Sequence, residues 1–122
     1  MKKPRIVAID DEAEFINMLE SYFVPRGYDI SFALRGVNGI ELIREKKPDI
    51  VLMDLKMPGL DGDEVLKLIA QMQQPPKVVF VTAYDDGGKT KARLMRMGAY
   101  AYFDKPIPSL KTLEEALVKA VN

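Results

Sequence analysis

Aspartates stand directly after two short apolar segments of this chain. Asp10 and Asp11 follow the segment 5–9, and Asp54 follows the segment 50–53. If both segments are neighbouring strands of one parallel sheet, their carboxyl ends meet at one edge and bring three carboxylates together. Oxygen ligands of this kind suit a hard cation such as Mg²⁺ or Mn²⁺. A carboxylate beside such an ion can also act as the nucleophile that accepts a phosphoryl group.

Two further reactive groups end later apolar segments. Thr82 follows the segment 78–81, and Lys105 comes shortly after the segment 100–103. A lysine supplies positive charge to phosphoryl oxygens, and a hydroxyl supplies a hydrogen bond. Each group alone has an ordinary structural interpretation, as a helix cap, a turn residue, a strand-end hydroxyl or a solvated charge. The arrival of all of them at one inferred edge favours the functional interpretation.

The elements that must position these groups alternate in type along the chain. Apolar or β-branched segments predict strands, and amphipathic stretches between them predict helices. The predicted strands are 5–9, 30–33, 50–53, 78–81 and 100–103, and the predicted helices cover about 15–23, 37–45, 65–72, 89–97 and 110–121. Ser109 is expected to cap the last helix, and Gly98 to end the fourth. Five strand-helix pairs in a row predict a parallel sheet with helices on both faces.

Composition indicates a globular protein with no formal net charge. The 122 residues suit a single domain, 1–122, with a real core. The 18 basic residues balance the 18 acidic ones, so no net charge attracts the chain to nucleic acid or to an anionic membrane. The start of the chain lacks the pattern of a signal peptide, and no apolar run is long enough for a membrane helix. We therefore expect a cytoplasmic protein.

Two residue types are missing altogether. The chain contains no cysteine and no histidine. Thiolate sites, disulfides, imidazole ligands and imidazole bases are therefore excluded within this sequence. Its chemistry must be carried out by carboxylates, hydroxyls and lysine.

The order of the motifs resembles the receiver domain of two-component response regulators over essentially the whole chain. The motifs are, in order, Asp10-Asp11, the segment 54–62 (DLKMPGLDG), Thr82-Ala83, Gly98-Ala99, Tyr102 and Lys105-Pro106. The resemblance implies an α/β fold of the flavodoxin-like, chemotaxis-regulator-like type. That fold is a doubly wound five-stranded parallel sheet with strand order 2-1-3-4-5 and five helices on two faces.

The resemblance also implies an activity. Asp54 would be phosphorylated from the phosphohistidine of a sensor histidine kinase or histidine phosphotransfer protein, because this chain has no histidine of its own. The chain would catalyse that transfer and a slow self-dephosphorylation, without being a classical enzyme. Asp11 and Asp54 would ligate the metal directly, Asp10 mainly through water, and the backbone carbonyl of Lys56 would add another oxygen. Lys105 would contact the phosphate.

A switch and an output surface follow from the same resemblance. The hydroxyl of Thr82 would move toward the phosphoryl group, and the ring of Tyr102 would turn inward. The readout would be the surface of the fourth helix, fifth strand and fifth helix, which would bind a downstream effector protein or domain and could dimerise when phosphorylated. No direct contact with nucleic acid or membrane is expected. Lys56 and Tyr84 should flank the path of the hydrolytic water. Our hypothesis is that the bulky Tyr84 hinders this water and that Lys56 cannot orient it as an amide or acid would, so that self-dephosphorylation is slow.

Three alternatives stay open at this point. The segment 61–65 (DGDEV) matches the Asp-x-Asp-x-Val signature of haloacid-dehalogenase-type phosphatases, which also use an aspartyl nucleophile with magnesium. That signature must follow a buried strand, so Asp61 is better interpreted as a turn or cap residue. A flavodoxin-type binding module would need a Gly-rich or hydroxyl-rich phosphate loop where the acidic segment 10–12 stands. A phosphorylation-deficient interaction module of the same fold is the third alternative.

Overall fold

The computed structural model describes residues 2–122 and contains a sheet of five parallel strands. The strands are β1 (Ile6–Ile9), β2 (Ile30–Ala33), β3 (Ile50–Met53), β4 (Lys77–Thr82) and β5 (Ala101–Asp104). Their order across the sheet is β2-β1-β3-β4-β5, and every pairing is parallel. The predicted fold and strand order are confirmed, and each predicted strand lies within one residue of the observed one.

Five helices connect and follow the strands. They are α1 (Ala13–Phe23), α2 (Gly36–Lys46), α3 (Gly62–Ala70), α4 (Lys89–Arg96) and α5 (Leu110–Val121). Ser109 caps α5 as predicted, since its Oγ accepts a hydrogen bond from the backbone N–H of Thr112 at 3.0 Å. Gly98 follows α4 with a φ of 106°, a conformation that favours glycine. Among residues 2–122, no helix combines the length and apolar character needed to cross a bilayer.

The helices bury one apolar layer on each face of the sheet. Helices α1 and α5 cover one face, and α2, α3 and α4 cover the other. Alternate residues of β3 serve the two layers, since Ile50 and Leu52 face the first while Val51 and Met53 face the second. All of β3 is buried, as is all of β4 except Lys77. The uninterrupted apolar sequences 50–53 and 78–81 suit such doubly buried positions within the sheet.

A carboxylate fastens α5 to α1 and to the loop after it. Glu114 of α5 accepts hydrogen bonds from the hydroxyls of Tyr22 and Tyr28, at 2.7 Å and 2.6 Å. These bonds, from Tyr28 first and Tyr22 second, hold the pKa of Glu114 below its usual range. The guanidinium of Arg26 lies 3.7 Å from the centre of the Tyr22 ring. We call Tyr22, Tyr28 and Glu114 the Glu114 clamp.

The two ends of the described chain meet at the edge of the sheet where the strands begin. The backbone N–H of Lys2 donates to Oδ1 of Asn122 at 3.0 Å, and Nδ2 of Asn122 donates to the carbonyl of Lys2 at 2.8 Å. The ammonium of Lys2 also reaches Asp49, which directly precedes β3, at 3.3 Å. This terminal clasp therefore lies at the opposite edge from the carboxyl ends of the strands.

Candidate functional site

Strand register brings the predicted carboxylates together. Ile9, the last residue of β1, pairs with Met53, the last residue of β3. Asp10 and Asp54 come next on their strands, and the backbone N–H of Asp54 bonds to the carbonyl of Ile9 at 3.0 Å. Both side chains are buried, with 2% of Asp10 and 8% of Asp54 exposed. Asp10 and Asp54 are therefore adjacent because β1 and β3 are neighbouring parallel strands whose last residues are in register.

Lys105 reaches the same place from the far end of the sheet. Its backbone N–H bonds to the carbonyl of Thr82 at 2.8 Å, which continues the ladder beyond β5. Its ammonium lies 2.7 Å from Asp10, 2.5 Å from Glu12 and 3.4 Å from Asp54. Burial acts to lower the pKa of Lys105, but the hydrogen bonds to Asp10 and Glu12 outweigh it and raise this pKa. Lys105 is therefore a fixed positive charge at the candidate site.

The carboxylates that come together differ in one member from the predicted set. Within residues 2–122, oxygens of Asp10, Glu12 and Asp54 lie within 4.8 Å of one another, which is close enough to share a metal ion. Asp11, the predicted direct ligand, is half-buried and lies outside this group. Sequence reasoning missed Glu12 as a site residue, although its position beside Asp10 and Asp11 was the available signal. A donor set made only of carboxylate oxygens fits a hard cation.

Asp10 has the clearest pKa shift in the cluster. Burial raises its pKa, and the hydrogen bonds from Lys105 and from the backbone N–H of Glu12 oppose that rise. The charge of Asp54 raises the pKa further but is the least of these causes. Repulsion between carboxylates therefore contributes to the raised pKa of Asp10, but desolvation contributes more.

A hydrogen-bonded path links the two predicted switch residues through one intervening residue. Thr82 is 1% exposed, and its Oγ1 accepts a bond from the backbone N–H of Tyr84 at 3.2 Å. The carbonyl of the same Tyr84 accepts a bond from the hydroxyl of Tyr102 at 3.0 Å. The half-buried ring of Tyr102 lies 6.3 Å from the ring of Phe80, centre to centre, on the α2–α4 face of the sheet. A movement of the Tyr84 backbone would therefore alter the hydrogen bonds of both Thr82 and Tyr102.

The side chains of Lys56 and Tyr84 meet near the candidate site. Lys56 comes two residues after Asp54, and its ammonium lies 4.8 Å from the centre of the Tyr84 ring. A cation over an aromatic face at this distance is attractive. The two residues that were predicted to flank the path of water thus contact each other.

The start of α3 supports the backbone of Asp54. Gly62 donates from its N–H to the carbonyl of Leu55 at 2.7 Å, and a Cβ at Gly62 would lie 2.5 Å from the carbonyl oxygen of Asp54. Asp61 is the N-cap of α3, where its carboxylate accepts from the N–H of Met57 at 3.1 Å. The prediction that Asp61 is a cap residue is confirmed, so the phosphatase-like signature here opens a helix and does not end a strand.

A groove of about 590 Å³ lies at the other edge of the sheet. Its walls come from the C-terminal ends of α2 and α3 and the start of β4, and they include Arg44, Lys47 and Lys77. Cations at helix C-termini complement the helix dipole. This groove is remote from Asp54, which lies with Asp10 and Lys105 at the opposite edge of the sheet.

Comparison with known sequences identifies the class of domain. The family described as the response regulator receiver domain matches residues 6–118. The sporulation initiation phosphotransferase F of Bacillus subtilis (strain 168) is 30% identical over 106 residues, which cover 87% of this chain and 85% of that protein.

Solved structures agree with this family. The signal receiver domain of a putative LuxO repressor from Vibrio parahaemolyticus is 30% identical with a TM-score of 0.85, covering 98% of this chain and 93% of the other. The chemotaxis protein CheY4 of Vibrio cholerae is 20% identical with a TM-score of 0.88, covering 98% of this chain and 100% of the other. At that identity the second likeness bears on the fold alone.

Proposed function

This chain belongs to the family of response regulator receiver domains of two-component systems, and on that basis we propose that Asp54 is its phosphoacceptor. The observation that carries the proposal is the meeting of Asp54, Asp10 and Lys105 at the carboxyl ends of three strands, with Lys105 3.4 Å from Asp54. The phosphoryl donor is a phosphohistidine on a sensor histidine kinase or a histidine phosphotransfer protein. The curated relative, which is named a phosphotransferase, supports phosphoryl transfer as the chemistry.

The proposed reaction is a displacement at phosphorus by a carboxylate oxygen of Asp54. A bond forms between that oxygen and phosphorus as the bond between phosphorus and the donor nitrogen breaks, and the imidazole leaves with the electron pair. Oδ1 of Asp54 already accepts a hydrogen bond from the backbone N–H of Leu55 at 2.7 Å. This bond orients the carboxylate before the donor arrives. Lys105 then supplies positive charge to the transferred phosphoryl oxygens.

The same carboxylates are proposed to hold Mg²⁺ or Mn²⁺. Asp10 and Asp54 fit this role because they belong to the oxygen-only cluster, and Glu12 lies close enough to take part. Asp11 and the backbone carbonyl of Lys56 are proposed as further ligands on the strength of the family resemblance. When bound, the ion screens the repulsion between the carboxylates and the incoming phosphoryl group.

Thr82 and Tyr102 are proposed to transmit the change. A phosphoryl group on Asp54 adds about two negative charges and strong hydrogen-bond acceptors. If the Thr82 hydroxyl turns toward that group, it leaves the N–H of Tyr84, to which it is now bonded. The carbonyl of the same residue accepts a hydrogen bond from the hydroxyl of Tyr102, so a movement of the Tyr84 backbone would couple the turn of Thr82 to a turn of the Tyr102 ring. The expected readout is the surface of α4, β5 and α5, which would bind an effector and could support dimerisation.

Intact mass spectrometry tests the phosphoacceptor assignment directly. Incubation with Mg²⁺ and a small acyl-phosphate donor is expected to add one phosphoryl group to the wild-type chain, taken as a single receiver domain over 1–122. The adduct is expected to disappear in Asp54→Asn and to persist in the matched variant Asp29→Asn, whose side chain is exposed and far from the cluster.

Two results would overturn the assignment. An adduct that persists in Asp54→Asn would place the phosphoryl group elsewhere. A wild-type chain that binds Mg²⁺ but takes no phosphoryl group from any donor would favour the phosphorylation-deficient module.

A further inference from the structure

Charged side chains are divided unequally between the two edges of the sheet, although basic and acidic residues balance over the whole sequence. Cations gather where the strands begin, in the first residues of the chain, near the ends of the helices and at the start of β4. We call this set the basic edge, and its members are Lys2, Lys3, Arg5, Arg26, Arg44, Lys46, Lys47, Lys77, Arg96 and Lys119. The acids at the same edge are fewer, namely Asp29, Glu45 and Asp49. An anion therefore meets a local attraction here that the zero net charge conceals.

The groove at this edge is lined by two cations that have no acidic partner. Arg44 and Lys47 are exposed on its wall, and neither forms a salt bridge within residues 2–122. The acid on the same wall, Asp49, already has partners, because it binds the ammonium of Lys2 at 3.3 Å and the backbone N–H of Arg5 at 2.8 Å. The dipole of α2 favours cations at its C-terminal end but does not pair them with a carboxylate. Both cations are therefore available to an anionic ligand.

Lys77 adds a fixed positive charge beside the groove. Its ammonium donates to the carbonyl of Ala120 at 2.6 Å and lies 4.9 Å from the centre of the Tyr100 ring. Its backbone N–H bonds to the carbonyl of Asp49 at 3.0 Å. These contacts hold the ammonium in place without neutralising it, because neither the carbonyl nor the ring carries a formal charge.

Apolar side chains line the same groove. Ile43 and Pro48 are buried, and Met72 and Pro76 are half-buried. The volume of about 590 Å³ lies within the range of small-molecule sites. The lining therefore suits a ligand that has both an apolar body and an anionic head.

We infer that this groove is a binding site for a small organic anion with a carboxylate or phosphate head and an apolar body. The guanidinium of Arg44 presents paired N–H groups that match the oxygens of such a head, and Lys47 adds a second charge. The apolar side chains of the groove remove the body of the ligand from water. The site lies away from Asp54, so the inference does not depend on the proposed phosphoryl transfer.

The placement of the cations favours a small molecule over a polymer. Arg44 and Lys47 come from one end of α2, and Lys77 comes from the start of β4, so their charges converge on one concavity. A peptide or a nucleic acid would be matched by groups that repeat along an extended surface. A compact anion can contact the converging charges and the apolar lining together.

Titrations followed by the amide resonances of the protein test the inference. The probes are 3-phenylpropionate, phenyl phosphate, the neutral 3-phenylpropanamide, acetate, and a short glutamate peptide. At low salt, at least one of the two aromatic anions is expected to bind with a Kd of about 1 mM and to shift resonances within 43–49 and 72–77. The neutral amide and acetate are each expected to bind about tenfold more weakly, because one lacks the charge and the other the apolar body.

Four results would overturn the inference. They are binding of the neutral amide as tightly as the aromatic anions, equally tight binding of acetate, resonance shifts confined to other parts of the chain, and tighter binding of the glutamate peptide at the same residues. The last result would assign the groove to a protein partner.

Charge-removing variants localise the contact. Arg44→Gln and Lys47→Asn are each expected to weaken the aromatic anion by about threefold to fivefold, and the double variant by about tenfold. Lys47 has a φ of 48°, a conformation that asparagine tolerates, so this change removes the charge without disturbing the end of α2. The matched variant Lys46→Gln changes an exposed neighbour that does not line the groove and is expected to bind within about twofold of wild type. An equal loss in Lys46→Gln would also overturn the inference.

Phosphorylation of the same proteins separates the two proposals. The groove variants are expected to take one phosphoryl group at Asp54 in the intact-mass assay, which also shows that their sheet is folded. A wild-type chain that takes no phosphoryl group but binds the aromatic anion would refute the proposed function and support the groove site. A chain that is phosphorylated normally but binds neither aromatic anion would do the reverse.

Discussion

Helices α5 and α4 flank the same edge strand, but α5 is held to its neighbours far more firmly. Helix α5 buries Leu113, Leu117 and Ala120, and the Glu114 clamp fastens it to the other side of its layer. Helix α4 buries Leu94 alone. We therefore expect a disturbance that starts at Asp54 to displace α4 more readily than α5. Unequal packing of the two helices beside β5 would in this way set the direction of a structural response.

Hydrogen exchange measures this inequality most directly. Backbone amides of α4 are expected to exchange about a hundredfold faster than those in the middle of α5, a gap near 3 kcal/mol in opening free energy, because fewer buried contacts must be broken. Native-state exchange followed by NMR gives both values in one sample. Equal protection of the two helices would remove the basis of the comparison.

Loss of the Glu114 clamp is expected to destabilise the packing of α5 against α1. Glu114→Ala is expected to lower the free energy of unfolding by about 2 kcal/mol, mainly because the hydroxyl of Tyr28, a residue only 6% exposed, loses its acceptor. Urea denaturation measures the change. Glu115→Ala, at the adjacent exposed position, is the control and is expected to change stability by less than about 0.5 kcal/mol. Similar losses in both variants would mean that the clamp contributes little.

Removal of one hydroxyl from each face gives a finer comparison. Tyr28→Phe deletes a buried donor to a carboxylate and is expected to cost about 1.5 kcal/mol. Tyr102→Phe deletes a half-buried donor to the carbonyl of Tyr84 and is expected to cost less than about 1 kcal/mol. Thermal or urea unfolding of the two variants tests the order. The reverse order would indicate that the α4 side is the more tightly bonded one.

Truncation of Tyr84, in the loop before α4, tests this side of the sheet through the lifetime of the phosphoryl group. Tyr84→Ala leaves the backbone bonds to Thr82 and Tyr102 but removes the ring under Lys56. Phosphoryl loss, followed by intact mass after donor removal, is expected to become about threefold to tenfold faster, since less bulk hinders water. Tyr100→Ala, at an exposed tyrosine that precedes β5, is the control. An unchanged lifetime in Tyr84→Ala would refute the hindrance.

Acidification should weaken the clamp selectively. The pKa of Glu114 in the folded chain is lower than its ordinary value of 4.5, so its carboxylate stabilises the fold above that value. This stability is lost as pH falls from 4.5 through the lower folded-state pKa. The unfolding free-energy difference between wild type and Glu114→Gln is therefore expected to be largest near neutral pH and to shrink in acid. A constant difference across this range would show that the charge of Glu114 is unimportant.

The sheet and the main site could be predicted because both depend on local pattern. Apolar segments of four or five residues predicted the strands. Once segments 6–9 and 50–53 pair in parallel, their register places Asp10 beside Asp54. The start of α3 was predicted less accurately, because its apolar face indicates a helix only from Val65, whereas the helix begins three residues earlier at Gly62, after the N-cap Asp61.

The contacts that sequence reasoning missed all depend on where long side chains point after folding. Glu12 joined the cluster because Lys105, 93 residues away, extends to it. The Glu114 clamp joins residues separated by 86 and 92 positions. The bond from Tyr102 to Tyr84 requires a particular path of the loop after β4. No periodicity in the sequence encodes such meetings, because they are set by tertiary packing.

The terminal clasp makes this chain well suited to circular permutation. Lys2 and Asn122 are held together by two hydrogen bonds, so a short linker could join them without strain. New ends could then be opened in an exposed loop, and any protein fused at the original ends would be anchored on the side of the sheet away from Asp54. A reporter inserted at the clasp would consequently leave helix α4 and the edge that carries Asp54, the proposed phosphoacceptor, open to solvent.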